Sequence, residues 1–219
     1  MNTFFSDSVG IEFQAWGIYH YIPIFLVIFG VMLIFFFRKK IRSSQKEKTI
    51  RYILGSIGIV SEVSLQLWIF LNGNYTLREN LPIGLCAFSL FMGIYVMFTK
   101  SYKVFEVAYF WAIGGVVSVL FPDILYGPDR FRYYQFLFGH MIFFFMFMYM
   151  LFVHQFIPTW KSYKKSFIIL FFIVFLFIIP VNNIFDTNFM YLLEPGDTPF
   201  SLFWGNGYAL YLFGCISLS

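Results

Sequence analysis

Long apolar segments alternate with short polar segments along almost the whole chain. Seven segments are apolar and nearly free of charge, and they cover residues 17–37, 51–71, 81–99, 104–121, 133–156, 166–184 and 200–218. A helix needs about 20 apolar residues to cross the hydrocarbon core of a bilayer, which is ~30 Å thick. The pattern therefore predicts an all-α protein, a polytopic membrane bundle of about seven transmembrane helices.

The composition excludes a water-soluble domain. Hydrophobic residues make up 60% of the 219 residues, and charged residues make up only 12%. A helix satisfies its backbone hydrogen bonds internally, as lipid requires, whereas an outer-membrane barrel would show short alternating strands. Because no internal repeat or long linker divides the sequence, residues 1–219 are expected to form one integral membrane domain.

The distribution of lysine and arginine predicts the orientation. Basic residues near span ends are retained in the cytoplasm, and 12 of the 15 lie after the first, third and fifth apolar segments, leaving Arg78, Arg130 and Arg132 on the other side. We therefore predict an outside amino terminus and a cytoplasmic carboxyl terminus. The basic stretch 38–51 is short and lacks interleaved aromatic residues, so no nucleic-acid partner is expected.

Polar residues in the second apolar segment share one face of the predicted helix. Gly55, Gly58, Glu62 and Gln66 recur at helical spacing. An ionisable side chain in lipid faces the interior of the bundle and commonly marks a functional site. The alternative interpretation is that Glu62 is a hydrogen-bonded structural link between helices.

Cys86 and His140 are expected to lie at a similar depth in the membrane. They follow the predicted outer ends of the third and fifth segments by about five and seven residues, or roughly 7–8 Å and 10–11 Å at 1.5 Å per residue. Cys86 shares a small and polar helical face with Pro82, Ser89 and Gly93. Because histidine commonly activates a cysteine nucleophile, we predict a catalytic pair. The alternative is that Cys86 only fills space between helices.

Four amide and carboxyl side chains are candidates to support this pair. In this hypothesis they would orient the imidazole or hold a carbonyl oxygen. The four residues are Glu62, Gln66, Asn182 and Asn183. The three histidines are too scattered for a metal site, and no phosphate loop or dinucleotide motif is present. No metal and no cofactor is therefore expected. Cys86 and Cys215 are predicted to lie toward opposite membrane faces, so no disulfide between them is expected.

Several short motifs carry a family resemblance. They are SEVSLQLW (61–68), LPIGLC (81–86), FGHMIFFF (138–145) and NNIFDTNFMYLLEPGDTPF (182–200). In this order they resemble the YwaF family of bacterial integral membrane proteins. That family is similar to a eukaryotic multispanning acyltransferase that places fatty acyl chains onto ether phospholipids with an essential cysteine and histidine. The resemblance implies that these two roles fall on Cys86 and His140, and that the protein is a multi-pass protein of a bacterial plasma membrane.

The residues and the resemblance together predict a membrane acyltransferase. It would move a fatty acyl chain between phospholipids through an acyl-cysteine intermediate in the outer half of the bilayer, or pass the chain to water, with a phospholipid or lysophospholipid as its partner. The alternative function is a transporter or lipid-binding bundle in which Glu62, Gln66 and His140 line a polar pathway. A third possibility is a structural partner without a site.

Overall fold

A computed structural model describes residues 3–194 of the chain. The helices are, in chain order, α1 (Ile18–Arg42), α2 (Glu47–Leu71), α3 (Leu77–Asn80), α4 (Leu85–Thr99), α5 (Tyr102–Leu120), α6 (Phe131–Val153), α7 (Trp160–Ile173) and α8 (Ile179–Phe185). A π-helical turn, Val174–Ile178, joins α7 to α8, and 3-10 turns cover Thr3–Phe5 and Phe189–Tyr191. Over the described residues β-structure is limited to one isolated bridge, between Glu12 and Tyr126.

Five of these helices are long and apolar enough to cross a membrane. They are α1, α2, α5, α6 and the continuous helix Trp160–Phe185. The predictions of an all-helical and multi-pass protein are thereby confirmed for residues 3–194. The helix α4 has 15 residues, about 22 Å at 1.5 Å per residue, which is shorter than the hydrocarbon core. The seventh predicted segment, 200–218, and Cys215 lie outside the described residues, so the count of seven and the orientation stay predictions.

The third apolar segment becomes helical later than the sequence predicts. Residues 81–84 are irregular, and α4 begins at Leu85 after Gly84, whose backbone is extended (φ −72°, ψ 160°). Pro82 has no N–H and also restricts the residue before it, so this tetrapeptide favours a bend over a helical turn. The prediction that Pro82 shares a helical face with Cys86 was therefore wrong. Cys86 is instead the second residue of α4.

The central helix of the bundle is α6. Of its most apolar window 67% is buried, against 17% for α1 and α2, and it packs against α1, α2, α4 and α5. Gly58 allows α2 to approach closely, because a Cβ there would lie 2.5 Å from Met146 Cε. A Cβ on Gly55 would lie against Met97 and Phe98 of α4. The prediction that this face of α2 contacts protein is confirmed at both glycines.

The two ends of the bundle carry different loops. We call the end with residues 72–84, 121–130 and 186–194 the predicted outer end, and the end with residues 43–46, 100–101 and 154–159 the predicted inner end.

At the predicted inner end Glu47 is a hub. Its Oε1 lies 3.2 Å from Arg51 Nε and 2.7 Å from His154 Nε2, and its Oε2 lies 3.5 Å from Lys100 Nζ. These contacts tie α2 to the α4–α5 turn and to the end of α6.

The segment before α1 crosses the predicted outer end. The carbonyl oxygen of Phe5 accepts a hydrogen bond from Trp68 Nε1 (2.9 Å), and that of Asp7 accepts one from the Tyr126 hydroxyl (3.0 Å). Residues 11–13 also bond to the backbone of residues 125–127. The segment is therefore fixed to both α2 and the α5–α6 loop.

Candidate active site

A cavity of about 760 Å³ opens among α2, α4, α6 and the loops of the predicted outer end. Four of the six predicted site residues line it, namely Glu62, Gln66, Cys86 and His140. Cys86 of α4 and His140 of α6 thus border the same cavity. Whether the two act together in catalysis stays a prediction.

Cys86 lies at the amino-terminal end of α4. The first backbone hydrogen bond of this helix runs from Phe88 N to Gly84 O (3.0 Å), so the N–H groups of Cys86 and Ala87 precede the helical ladder. The positive end of the helix dipole stabilises anions and favours the thiolate form of cysteine. The thiol also interacts with the side chain of Ser118 on α5. The sequence placed Cys86 about five residues into its span, whereas the structure places it in the first turn of α4.

The imidazole of His140 is oriented by its own helix. Its Nδ1 lies 2.7 Å from the carbonyl oxygen of Phe136, and a carbonyl can only accept, so Nδ1 carries the hydrogen. The neutral ring then has its lone pair on Nε2. The rings of Phe136 and Phe143 pack beside it, with centroids 4.3 Å and 5.6 Å away. The side chain is therefore set up to accept a proton through Nε2.

Glu62 and Gln66 form a pair on the wall of the cavity contributed by α2. Gln66 Nε2 donates a hydrogen bond of 2.8 Å to Glu62 Oε1. Both belong to the same helical face as Gly58, as the sequence predicts. The amide and the carboxyl group are thus available to a polar group bound in the cavity.

Arg132 and Gln135 also line the cavity, and sequence reasoning missed both of them. Arg132 Nη1 donates a 2.5 Å hydrogen bond to Gln135 Oε1, and Gln135 Nε2 donates one of 3.3 Å to the Ser61 carbonyl oxygen. The guanidinium interacts through space with Glu62 and with His140. The signal in the sequence was an arginine directly before the fifth apolar segment, which was counted only as a topology charge.

Asn182 and Asn183 do not line the cavity. Asn182 is fully buried, its Nδ2 donates to the Phe189 carbonyl oxygen (3.1 Å), and its Oδ1 accepts from Phe189 N (2.9 Å) and Thr187 Oγ1 (3.0 Å). Asn183 is exposed and donates to the Ile179 carbonyl oxygen (2.8 Å). The structure thus places Asn182 as the organiser of the following loop. A direct role of either amide in catalysis stays a prediction.

The loop that Asn182 organises contributes Phe189 and Tyr191 to the cavity. The Tyr191 hydroxyl donates to the Asp123 carboxylate. Burial, and then this carboxylate, raise the pKa of Tyr191 far above its ordinary value, so the hydroxyl stays protonated. Met190 and Tyr191 both have left-handed backbones (φ 61° and 55°), a conformation that persists only where the surroundings enforce it. The TNFMYL part of the sequence motif therefore builds one wall of the site.

A second, more apolar groove of about 780 Å³ runs between α2 and α6. It extends from Lys48 and Tyr52 near the predicted inner end to Phe131 near the predicted outer end. Ser61 and Gln135 line both this groove and the cavity. Ser61 Oγ is buried and has no hydrogen-bond partner within residues 3–194. The groove and the cavity therefore share a wall.

In the part of the chain that the structure describes, no three His, Cys, Asp or Glu side chains converge as metal ligands would. Comparison with known families gives a match to the model of the TMEM164 family over residues 15–219. The chain belongs to the TMEM164 family. No curated protein and no solved structure matches it.

The match to the TMEM164 family extends over every helix from α1 to α8 and over all the residues of the cavity. The coarser part of the resemblance predicted from the motifs, membership of a multispanning membrane family, is thereby confirmed. The assignment to the YwaF family and the similarity to an acyltransferase stay predictions.

Proposed function

We propose that the protein is a membrane acyltransferase that moves a fatty acyl chain between phospholipids through a thioester on Cys86. The observation that supports this most directly is that Cys86 and His140 line one cavity. The amino-terminal position of Cys86 on α4 and the free lone pair of His140 Nε2 suit a nucleophile and its base.

In the first half-reaction Cys86 takes the acyl chain. His140 Nε2 accepts the thiol proton, and the thiolate attacks the ester carbonyl carbon of a phospholipid. As the tetrahedral intermediate collapses, the carbon–oxygen ester bond breaks and the imidazolium returns the proton to the leaving alkoxide. The products are an acyl-cysteine and a lysophospholipid.

In the second half-reaction the chain leaves the cysteine. His140 takes the proton of the acceptor hydroxyl, whose oxygen attacks the thioester carbonyl carbon. The carbon–sulfur bond breaks, the new ester is released and the Cys86 thiolate regains the proton from the imidazolium. Water in place of the lysophospholipid would give hydrolysis by the same steps.

Two features of the cavity support charge development and chain binding. The N–H groups of Cys86 and Ala87 at the start of α4, with the Gln66 amide, are candidate donors to the oxyanion of each tetrahedral intermediate. The apolar groove between α2 and α6 offers room for a hydrocarbon chain beside the shared residues Ser61 and Gln135. A polar cavity next to an apolar groove suits an ester with a long chain.

The test is the intact mass of the protein purified from membranes, with and without hydroxylamine. We expect a fatty-acyl adduct that hydroxylamine removes and that Cys86→Ala abolishes. Cys215→Ala is the matched control, because the chain has only two cysteines, and it should keep the adduct. Failure to detect any adduct, together with an unchanged lipid composition in cells that carry Cys86→Ala, would rule out the mechanism.

The second candidate function is transport or lipid binding without chemistry. It is supported by the position of Glu62, Gln66 and His140 on the same cavity, where they would line a polar pathway. The two candidates differ in the residue they require. An enzyme is inactivated by Cys86→Ala, whereas a transporter tolerates that change and loses function with Glu62→Gln.

A further inference from the structure

Three arginines lie at the predicted outer end, and one of them differs from the other two. Arg78 Nη2 lies 2.6 Å from Asp186 Oδ2, and Arg130 Nη1 lies 2.5 Å from Asp129 Oδ2. Arg132 has no carboxylate oxygen within 4.0 Å among the side chains that the structure describes, a set that leaves out Glu79, although its own side chain borders the cavity. A guanidinium at the edge of a membrane span, without an ion-pair partner, needs a compensating anion more than the other two do.

The surroundings of Arg132 leave most of its donors available. The guanidinium has five N–H donors, and the hydrogen bond that joins it to protein here uses Nη1 and the Gln135 side chain. Its Cζ lies 5.4 Å from the centroid of the Phe136 ring. The carboxylate that shares the cavity, Glu62, is beyond ion-pair distance and accepts a hydrogen bond from Gln66. The remaining N–H donors of Arg132 are therefore available to a ligand in the cavity.

We propose that Arg132 binds the phosphate group of the lipid whose acyl ester reaches Cys86, and so selects phospholipids over neutral glycerolipids. The inference rests on the proposed function for the identity of the substrate. A planar guanidinium matches two oxygens of a phosphodiester through parallel hydrogen bonds. Arg132 lies in the first turn of α6, beside Tyr133 and Tyr134, whose residue type is typical of the membrane interface. Lipid phosphates lie at that level of a bilayer.

The position of the arginine beside the base gives the bound phosphate a second effect. Arg132 Cζ and the His140 ring lie 5.4 Å and 4.3 Å from the centroid of the same Phe136 ring, and a cation this near opposes the imidazolium that forms when the thiol loses its proton. A phosphate bound to the guanidinium neutralises that cation. The substrate would thus bring the anion that pairs with Arg132.

The test measures binding rather than turnover, so that it stands apart from the acyl-transfer mechanism. Cys86→Ser protein in detergent micelles is titrated with 16-carbon lysophosphatidylcholine and with the 16-carbon monoacylglycerol, which has the same chain and no phosphate. We expect the Cys86→Ser protein, which is the background for the other variants, to bind the lysophospholipid about tenfold or more tightly than the monoacylglycerol. A charge-assisted hydrogen bond provides a ratio of this size. We expect Arg132→Gln to remove that preference and to change monoacylglycerol binding less than twofold.

Two further variants control for charge and for folding. Arg78→Gln removes an arginine from the same end that is paired with Asp186, and it should keep the preference. Arg132→Lys keeps the positive charge but loses the planar guanidinium, so it should keep part of the preference for the lysophospholipid. This variant tests the proposal if Arg132→Gln does not fold. Inorganic phosphate added to the background protein separates a lipid site from a general phosphate site, and we expect millimolar phosphate to leave lysophospholipid binding unchanged.

Equal affinity of the background protein for the two lipids would overturn the proposal without any arginine variant. An equal loss of both lipids in folded Arg132→Gln would also overturn it and would identify Arg132 as a structural partner of Glu62. Displacement of the lysophospholipid by inorganic phosphate would overturn the lipid assignment in favour of a soluble anion. None of these results depends on whether an acyl-cysteine forms.

Discussion

The Nδ1 atom of His140 lies 2.7 Å from the carbonyl oxygen of Phe136, one turn earlier in α6. The carbonyl fixes the ring orientation and the tautomer, which is the role that a third residue fills in a catalytic triad. A backbone acceptor is always present in a helix, so the chain needs no carboxylate beside the imidazole. The cavity can therefore hold a base without placing another fixed charge in the membrane.

Replacement of His140 by glutamine should inactivate the protein with little effect on its stability. Glutamine removes the proton acceptor, and general-base catalysis contributes about 10²- to 10⁴-fold to a rate. The lost hydrogen bond contributes only about 1 kcal/mol. Transfer of a radiolabelled acyl chain in proteoliposomes and thermal unfolding in detergent measure the two effects. His154→Gln, at the opposite end, should keep the rate, and an equal loss in both variants would remove His140 from the mechanism.

The sequence predicted the long apolar helices that the structure describes and four of the side chains that line the cavity. Hydropathy reports how each residue partitions between water and lipid. This is enough to predict spans such as α1 and α6, because an apolar run of that length is typical of a membrane-spanning helix. The depth argument for Cys86 and His140 also depended on distance along single helices. The residues on these two helices line one cavity because both start from the same predicted end of the bundle.

The rest depends on packing between elements, on which hydropathy carries no information. Arg132 and Tyr191 line the cavity only because α6 and the loop after α8 pack against α2 and α4. The late start of α4 follows from the bend at Pro82 and Gly84, which an apolar window averages away. Asn182 was predicted at the site because it ends a span, whereas its hydrogen bonds turn inward to its own loop.

Asn182 and Asn183 should respond differently to replacement by alanine. Asn182→Ala leaves the part-buried N–H and C=O groups of Phe189 without these partners, so we expect a loss of about 1–3 kcal/mol in the free energy of unfolding. Tyr191 would move with its loop, and the acyl-transfer rate should fall. Asn183→Ala removes one exposed bond to the preceding turn and should change stability by less than about 0.5 kcal/mol. Similar thermal unfolding of the two variants would show that Asn182 does not hold this loop.

Gly115 should tolerate no side chain, whereas its neighbour Gly114 should. A Cβ on Gly115 would lie 2.8 Å from the carbonyl oxygen of His140 and 2.5 Å from the ring of Phe143, while a Cβ on Gly114 would have nothing within 4 Å. Gly115→Ala must therefore separate α5 from α6, at a typical overpacking cost of about 1–3 kcal/mol, and displace the base from the cavity. Gly114→Ala should match the parent protein in thermal unfolding and in acyl transfer. If Gly115→Ala matched the parent protein in thermal unfolding and acyl transfer, α6 would be able to move away from α5 at this point without displacing His140.

Glu47→Gln should destabilise the predicted inner end of the bundle. Arg51 is almost fully buried, with its side chain 5% exposed, and it loses its carboxylate partner in this variant. Breaking a buried ion pair from one side costs ~3 kcal/mol or more. Lys100 is 43% exposed and 3.5 Å from Glu47, so Lys100→Gln should cost less than about 1 kcal/mol. Chemical unfolding in detergent, followed by tryptophan fluorescence, compares the two, and an equal response would show that the hub does not stabilise the bundle.

The orientation predicts which leaflet supplies the lipid. In a background with Cys86→Ser and Cys215→Ser, a cysteine at Asn74 lies at the predicted outer end and one at Ser44 lies beside the basic residues of the predicted inner end. Because lysine and arginine are retained in the cytoplasm, we expect a membrane-impermeant maleimide to label Asn74→Cys in intact cells and Ser44→Cys only after permeabilisation. The opposite pattern would place the mouth of the cavity, with Arg132 and Tyr191, on the cytoplasmic side. The phosphate bound by Arg132 would then come from the inner leaflet, since the loops that line the cavity face whichever leaflet the labelled Asn74 position faces.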